Sequence, residues 1–230
     1  MKDLIEEKQE ESIIGVAVMA SGEGTRFGSN KLLAEVGGRT VIERSLDLID
    51  STLFQAENVV VVTRTEEVER EARKRGFRTI LHHFPKKSDT VRLATEELLY
   101  ADGILFLQGD QFLLRRATIR RMVGKFRSDA EVPVRLGFCS QSASPVLFPR
   151  SAYEGLMHLK GDQGGAAVLS TYEKVHLVEA EEVSEIMDAD TPQELTAMIT
   201  MLREKEDPLP SARERELFQL PFQKGGTVWE

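Results

Sequence analysis

Short apolar runs alternate with charged, amphipathic segments along the first half of the chain. The runs are rich in Val, Ile and Leu and too short for buried helices, which predicts strands, and the segments between them have apolar residues at helical spacing. The predicted strands are 13–20, 58–63, 78–83 and 103–110, and the predicted helices are 40–50, 66–76 and 89–100. Such alternation predicts an α/β fold, in which a mostly parallel central sheet has helices on both faces.

The alternation is looser after residue 110. Here the pattern predicts helices near 117–127 and from 151, and strands near 131–138, 144–148, 174–179 and 183–187. A last helix over 191–206 begins with a capping-box pattern, with Thr191 as N-cap, Pro192 at the first helical position and Glu194 closing the box. We expect a single domain over 1–206 and, because prolines and glycines interrupt 207–230, an irregular C-terminal arm that docks on this domain or on a neighbouring subunit.

Composition narrows the function classes. A formal net charge of -8 argues against general nucleic-acid binding or binding to an anionic membrane, since both need an extended basic face. The one cysteine, Cys139, excludes an intramolecular disulfide and suits a reducing compartment, and we expect it to be packed. The amino terminus lacks the apolar segment of a secretion signal, so we expect a cytoplasmic protein.

A glycine-rich, cationic loop follows the first predicted strand. Gly22, Gly24 and Gly28 let the backbone come close to a ligand, and a turn from strand to helix points free N–H groups at it. Arg26 and Lys31 lie in and just after this turn, where they can neutralise a triphosphate. The loop therefore predicts local binding of a nucleotide by an otherwise acidic chain.

Two other glycine-loop classes fit less well. A dinucleotide-binding fold needs an acidic residue at the end of its second strand, where this chain has Thr63 and Arg64. The Gly-Lys-Ser/Thr ending of the common nucleotide-triphosphatase loop is also missing. A tight turn with incidental surface charges is the plain alternative.

Acidic residues follow two predicted elements at the ligand-binding edge of such a sheet. Asp110 comes after the most apolar strand, and Asp188 and Asp190 precede the last helix. Mg²⁺ is bound by a few carboxylates together with water and phosphate oxygens, so Asp110, together with either Asp188 or Asp190, predicts a metal site. Helix capping is the alternative role for Asp190.

Five motifs in order carry a family resemblance: "VMASGEGTRFGSNKLL", "GDQF", "SPVLFP", "LKGDQGG" and "DADTPQEL". Together they resemble the MobA-like nucleotidyltransferases, and within that family the molybdenum cofactor cytidylyltransferases and relatives associated with molybdenum hydroxylases. The resemblance implies a Rossmann-like α/β nucleotidyltransferase fold, Mg²⁺ dependence, and transfer of a nucleoside monophosphate to a phosphorylated acceptor. Ser21, Phe112 and a shortened stretch over 136–145 depart from the usual pattern.

The same resemblance assigns residue roles. Arg26, Lys31 and Asp110 are expected to be catalytic, Asp110 and Asp190 to hold Mg²⁺, and Gln111 to favour CTP over GTP. The expected nucleotide-binding residues are Ala20, Ser21, Gly22, Gly24, Arg26, Lys31, Ser88 and Gln111, and the expected acceptor-binding residues are Gly161, Asp162, Gly164 and Gly165. Thr90 is a further candidate beside Ser88, for which a helix cap is the alternative role.

The expected reaction is transfer of CMP from CTP to a molybdopterin-type cofactor with release of pyrophosphate, and a molybdenum hydroxylase is an expected partner. Two alternatives remain open: transfer to another small phosphate, such as a sugar or polyol phosphate, and delivery of the cofactor without turnover. His82 and His83 are adjacent on a predicted strand, so their side chains oppose each other and are expected to be structural.

Overall fold

A seven-stranded mixed sheet forms the centre of the chain. The computed structural model describes residues 12–22, 30–188 and 191–206. The strands are β1 (Ile14–Ala20), β2 (Glu35–Val36), β3 (Arg39–Thr40), β4 (Val59–Thr63), β5 (Arg78–Leu81), β6 (Gly103–Gln108), β7 (Val134–Phe138), β8 (Gln141–Pro149) and β9 (His176–Glu179). The helices are α1 (Val41–Leu46), α2 (Glu66–Lys74), α3 (Lys87–Glu97), α4 (Arg116–Ser128), α5 (Tyr153–Met157), α6 (Gly165–Leu169) and α7 (Pro192–Glu206). The α/β fold class is confirmed.

The strand order brings the ends of the most apolar strands together. The order is β5-β4-β1-β6-β8-β7-β9, and β2 and β3 form a separate hairpin. β1 lies between β4 and β6 and is parallel to both, with Val18 opposite Val61 on one side and Leu107 on the other. The residues that follow β1, β4 and β6 therefore meet at one edge, which is the ligand-binding edge of open α/β sheets.

Alternating residues of the central strands pack on opposite faces of the sheet. Val16 and Val18 of β1 join one core cluster, which also contains residues of α1, α2, α4 and α7. Ala17 points to the other side and joins a second cluster with residues of α3, α5 and α6. Both faces are thus covered, which explains why the parallel strands are almost continuously apolar.

The predicted strand at 183–187 is wrong, because Val183–Ile186 forms a 3-10 helix. The cause is Glu185, a fully buried carboxylate (0% exposed) that holds the turn. Its Oε1 accepts a hydrogen bond from Glu181 N (2.9 Å), and its Oε2 accepts from Arg115 N (3.2 Å) and Thr118 Oγ1 (2.5 Å). Hydrogen bonds from these donors hold the Glu185 carboxylate inside the protein, and they stabilise a compact turn rather than an extended strand.

The stretch 136–145 belongs to a tight β7–β8 hairpin. Its turn is Cys139–Ser140, and both residues have positive φ (47° and 70°), as two-residue hairpin turns of the primed type require. The expectation of a packed thiol is wrong, since Cys139 is exposed. A turn of this kind carries its side chains away from the sheet, so the thiol has no core to enter.

The closing helix α7 begins as its capping pattern predicts. Thr191 N donates to Glu194 Oε2 (2.8 Å), and Glu194 N donates to Thr191 Oγ1 (3.2 Å). The predicted arm over 207–230 lies outside the described residues. In the described part of the chain, no helix combines the length and the apolar character needed to cross a bilayer.

Candidate active site

The glycine-rich loop begins where β1 ends, at the ligand-binding edge. Ala20 is buried, and its carbonyl accepts a hydrogen bond from Thr63 Oγ1 (3.0 Å) at the end of β4. Gly22 is exposed, and a Cβ built there meets no atom within 4 Å. The expected ligand residues Gly24 and Arg26 lie in 23–29, outside the described residues.

A directed chain of hydrogen bonds holds the first end of this loop. Phe84 N donates to His82 Nδ1 (3.2 Å), so the neutral imidazole carries its proton on Nε2. His82 Nε2 lies 2.9 Å from Ser21 Oγ and donates to it, and Ser21 Oγ donates to Val62 O (3.1 Å). Ser21 is therefore fixed by the strand ends on which the loop rests.

The surroundings of His82 favour this neutral state. Burial lowers the pKa of His82 below its usual 6.5, and the charges of Arg64 and His83 lower it further, while Asp89 acts in the opposite direction. Protonation would place a second N–H on Nδ1, facing the Phe84 N–H. His82 lies on the buried side of the chain and His83 on the exposed side, as their alternation predicts.

Asn30 holds the other end of the loop. Its Nδ2 donates to Thr65 Oγ1 (2.8 Å), and its Oδ1 accepts from Leu32 N (3.1 Å), which caps the short 3-10 helix Lys31–Leu33. Thr65 N in turn donates to Thr63 Oγ1 (3.1 Å). Both ends of the loop are thus fastened at the end of β4, the first through Val62 and Thr63 and the second through Thr65.

Lys31 and Asp110 form an ion pair at this edge. Lys31 Nζ contacts Asp110 Oδ2, and the two side chains are 14% and 10% exposed. They come from separate segments, one following the loop and one following β6, so the fold itself brings together two residues that the sequence predicts to be catalytic. A buried ion pair costs desolvation energy, which makes it weak support for stability and a common feature of functional sites.

Asp110 fits a divalent cation. Its carboxylate is a hard oxygen donor at a buried position, 7% exposed. Within the described residues, no three His, Cys, Asp or Glu side chains converge. A Mg²⁺ ion needs only one or two protein carboxylates when phosphate and water supply its other ligands, so this donor set suffices. Asp190 lies outside the described residues, and Asp188, just before it, is exposed.

A cavity of about 360 Å³, which we call the loop cavity, opens beside Ser21 and Gly22. Its lining contains three basic side chains, Arg64, Lys86 and Lys87, and one carboxylate, Asp162. The described lining therefore carries more positive than negative charge, although the chain as a whole is acidic. The other lining residues are Met19, Phe84, Pro85, Thr90 and Gln108. A local excess of positive charge is what a bound polyphosphate requires.

Ser88 lies next to the loop cavity without lining it. Its side chain is buried, and its N–H donates to Gly161 O (3.1 Å), which ties α3 to the expected acceptor segment. The first turn of α3 is instead closed by Asp89, whose Oδ2 accepts from Lys86 N (3.3 Å). Thr90, the further candidate, lines the cavity.

A second cavity of about 470 Å³, which we call the hairpin cavity, adjoins the first and shares Met19, Lys87, Gln108 and Asp162 with it. Of the expected acceptor residues, Asp162, Gly164 and Gly165 line the hairpin cavity. Gly161 does not line it, and its φ of +59° lies in the left-handed region. A Cβ on Gly164 would come within 2.9 Å of Lys87 Cε, and one on Gly165 within 2.9 Å of the Phe148 ring. At Gly165 the buried Phe148 ring leaves no room for a side chain, whereas the flexible end of Lys87 at Gly164 can move aside.

Gln111 and Phe112 are turned inward after β6. Gln111 is 2% exposed, and its Nε2 donates to Ser144 O (3.2 Å), so it supports the β8 strand rather than lining either cavity. Phe112 is buried in the core cluster that contains α4. The departure from the usual family residue at 112 therefore fills the core beneath Asp110.

A sequence model of the MobA-like NTP transferase domain matches residues 16–176. The chain belongs to the MobA-like NTP transferase family. The matched range of this family member includes the glycine loop, Asp110 and the segment 159–165.

Part of this family member is similar in sequence to a curated protein. The bifunctional protein GlmU of Trichormus variabilis is 31% identical over 122 residues, which are 48% of this chain and 26% of that protein. The chain thus spans about a quarter of the length of this curated relative.

Solved structures match over most of the chain. Rv0371c of Mycobacterium tuberculosis H37Rv superposes with a TM-score of 0.72 at 22% identity, covering 82% of this chain and 98% of that one. A complex of the same protein with manganese gives a TM-score of 0.69 at 21% identity, covering 82% and 99%. CMP:2-keto-3-deoxy-manno-octonic acid synthetase with CTP gives 0.69 at 13%, covering 84% and 100%.

Two contacts of this site do not follow from the sequence pattern. His82 is expected to be structural, but the pattern does not show that it holds Ser21, a position 61 residues away. Arg135 is not among the expected site residues, although it lines the hairpin cavity. A signal for Arg135 exists in the sequence, since a charged residue interrupts an otherwise apolar strand, VRLGF.

Replacing His82 with Phe should change the pH dependence of folding. Because the folded state disfavours the imidazolium, His82 contributes stability that is complete above pH about 6.5 and is lost as the pH falls through its lowered pKa. We expect the free energy of unfolding, from urea titrations, to fall more steeply with decreasing pH below 6.5 in the wild type than in the variant. Parallel profiles would contradict this role, and His83→Phe, at the exposed neighbour, is the control.

Proposed function

We propose that the chain transfers CMP from CTP to a molybdopterin-type molybdenum cofactor and releases pyrophosphate, in a reaction that depends on a divalent cation, Mg²⁺. The observation that carries nucleotidyl transfer is the Lys31–Asp110 ion pair beside a glycine loop whose two ends are fastened to the sheet. A cation and a carboxylate beside a glycine-rich loop are suited to a metal-bound triphosphate.

The chain's own residues lower the barrier mainly by positioning and charge. An acceptor phosphate is already an anion at neutral pH, so its attack on the α-phosphorus needs little help from a general base. Lys31, Arg26 and the loop N–H groups hold the β- and γ-phosphates and stabilise the charge that develops on the leaving pyrophosphate. The anionic acceptor then meets less repulsion as it approaches.

Asp110 would hold the cation, with Asp190 as the second proposed ligand. The cation, when bound, supplies charge neutralisation across the phosphates. Support for a divalent metal comes from the buried Asp110 carboxylate and from the manganese complex of the structural neighbour Rv0371c.

CTP is favoured over GTP by two observations. The "GDQ" sequence after β6 is that of the cytidylyl branch which the chain resembles, and one structural neighbour, CMP:2-keto-3-deoxy-manno-octonic acid synthetase, was solved with CTP. In the loop cavity, the half-exposed ring of Phe84 offers a flat face to a base or ribose.

A second acceptor class has its own support. The structural neighbours include the synthetase of a CMP-linked octonic acid and 4-diphosphocytidyl-2C-methyl-D-erythritol synthase, whose names point to sugar-acid and polyol acceptors. Transfer of CMP to a sugar or polyol phosphate is therefore the alternative function. Both candidates use the same nucleotide site and differ only in the hairpin cavity.

The test is pyrophosphate release by the purified protein with Mg²⁺, each of CTP, GTP and ATP, and a panel of acceptors. The panel contains molybdenum-loaded molybdopterin, a sugar phosphate and a polyol phosphate. We expect release with CTP and the molybdopterin acceptor. Release only with a sugar or polyol phosphate would overturn the acceptor and keep the reaction type. Tight pterin binding without release from any nucleotide would instead identify a delivery protein that serves a molybdenum hydroxylase.

A further inference from the structure

Arg135 projects from β7 into the hairpin cavity and is held there at one side. Its Nε donates to Ala143 O (3.2 Å) across the β7–β8 hairpin, next to a register shift between Arg135 and Leu136. The hydrogen bond uses the inner nitrogen of the guanidinium and leaves the two terminal nitrogens for other partners. The fork of N–H donors is therefore oriented before any ligand arrives.

The charge of Arg135 has no counter-charge among the described residues. Within the described residues Arg135 forms no ion pair with a carboxylate, whereas five other arginines, Arg39, Arg75, Arg115, Arg120 and Arg150, each lie beside an Asp or Glu. Burial lowers the pKa of Arg135, and no carboxylate raises it again. A half-buried guanidinium stays charged, so the cavity keeps an uncompensated cation.

The rest of the cavity is mostly apolar around this cation. Phe106 and Phe148 meet edge to face on its wall, with centroids 5.8 Å apart, and Leu156 lies beside them. The other charged lining residues, Lys87 and Asp162, sit where the two cavities join. An occupant that satisfies these walls has a flat or apolar body and carries its negative charge at the Arg135 end.

We propose that Arg135 is an acceptor-specificity residue, which binds the anionic oxygens of a phosphate or carboxylate group on the acceptor. The apolar body of the acceptor packs on Phe106 and Phe148. This inference rests on the proposed function, since it takes the occupant of the hairpin cavity to be the acceptor. It adds the chemical class of acceptor that the hairpin cavity selects. The cavity adjoins the loop cavity through Met19 and Gln108, so an occupant there reaches the nucleotide. Acceptors without the anion are bound poorly.

The alternative role for Arg135 is to brace the hairpin, and Arg135→Gln separates the two. Glutamine can place its amide nitrogen near the position of Arg135 Nε, so it can keep the hydrogen bond to Ala143 O while it removes the charge and both terminal nitrogens. Arg135→Lys keeps a charge without the fork. Arg70→Gln, at an exposed position of α2, is the matched control.

The probe is phenyl phosphate, which combines an aromatic body with an anion, and phenol is its uncharged counterpart. Binding to the full chain is measured by titration calorimetry at fixed ionic strength, with and without Mg²⁺ and CTP. We expect the wild type and Arg70→Gln to bind phenyl phosphate, and Arg135→Gln to bind it about tenfold more weakly or worse, as loss of charge-assisted hydrogen bonds implies. Arg135→Lys should be intermediate, and the thermal unfolding midpoint of Arg135→Gln should match the wild type.

Two results would overturn the assignment: phenyl phosphate binding that is equal in wild type and Arg135→Gln, or none in the wild type. CTP affinity, measured on the same samples, should be the same in both proteins. If the wild type binds phenyl phosphate through Arg135 but does not bind CTP, the proposed function fails while the anion site stands. If CTP binds and Arg135→Gln changes nothing, only the anion site fails.

Discussion

Replacing Asp110 with Asn should lower the rate of nucleotidyl transfer about a thousandfold, as expected when a group that stabilises phosphoryl charge through a metal is removed. The amide has nearly the same shape but no negative charge, so it binds Mg²⁺ poorly and removes the charge that pairs with Lys31. We expect Mg²⁺ to tighten CTP binding to the wild type and to have little effect on the variant. Pyrophosphate release and CTP titrations with and without Mg²⁺ measure both effects.

The matched control for this change is Asp129→Asn. Asp129 is also a carboxylate with basic neighbours, since Lys174 pairs with it and His176 Nε2 lies 2.9 Å from its Oδ2, but it precedes β7, at the opposite end of the strands from Asp110. It should retain wild-type turnover. Turnover near the wild-type rate in Asp110→Asn itself would remove Asp110 from the site, and the metal assignment with it.

Local patterns predict the fold class and the positions of the central strands. These strands are short apolar runs with helices between them, so periodicity indicates where they lie and that the sheet is mostly parallel. The same pattern places Lys31 after the first strand and Asp110 after the fourth predicted one. Parallel strands end at a common edge, which is why two residues 79 positions apart in sequence meet in an ion pair.

The parts that the sequence does not predict depend on partners far along the chain. His82 is adjacent to His83 in an unremarkable pair, and only the packing of β5 beside β4 brings it to Ser21. Arg135 lines a cavity only because the β7–β8 hairpin holds its side chain there, through the hydrogen bond to Ala143 O. The strand expected at 183–187 fails for the same reason, since the donors that bind Glu185 include residues of the 115–118 turn.

That buried carboxylate gives the largest expected effect on stability. Replacing Glu185 with Ala should lower the free energy of unfolding by about 3 kcal/mol, because it leaves the buried Thr118 hydroxyl and two partly buried backbone N–H groups without their acceptor. For a chain of this size the melting temperature should fall by about 10 °C. Urea and thermal unfolding monitored by circular dichroism measure both quantities.

Glu185→Gln and Thr118→Val separate the individual bonds. The amide oxygen of Gln can take the place of Oε2, so only the bond from Glu181 N is lost and the expected cost is about 1 kcal/mol. Thr118→Val removes one donor to Oε2, and its effect should not add to that of Glu185→Ala, since the two side chains share a hydrogen bond. Glu173→Ala, at an exposed position, should change stability by less than about 0.5 kcal/mol. An equally small change in Glu185→Ala would mean that the turn at 183–186 holds without its buried carboxylate.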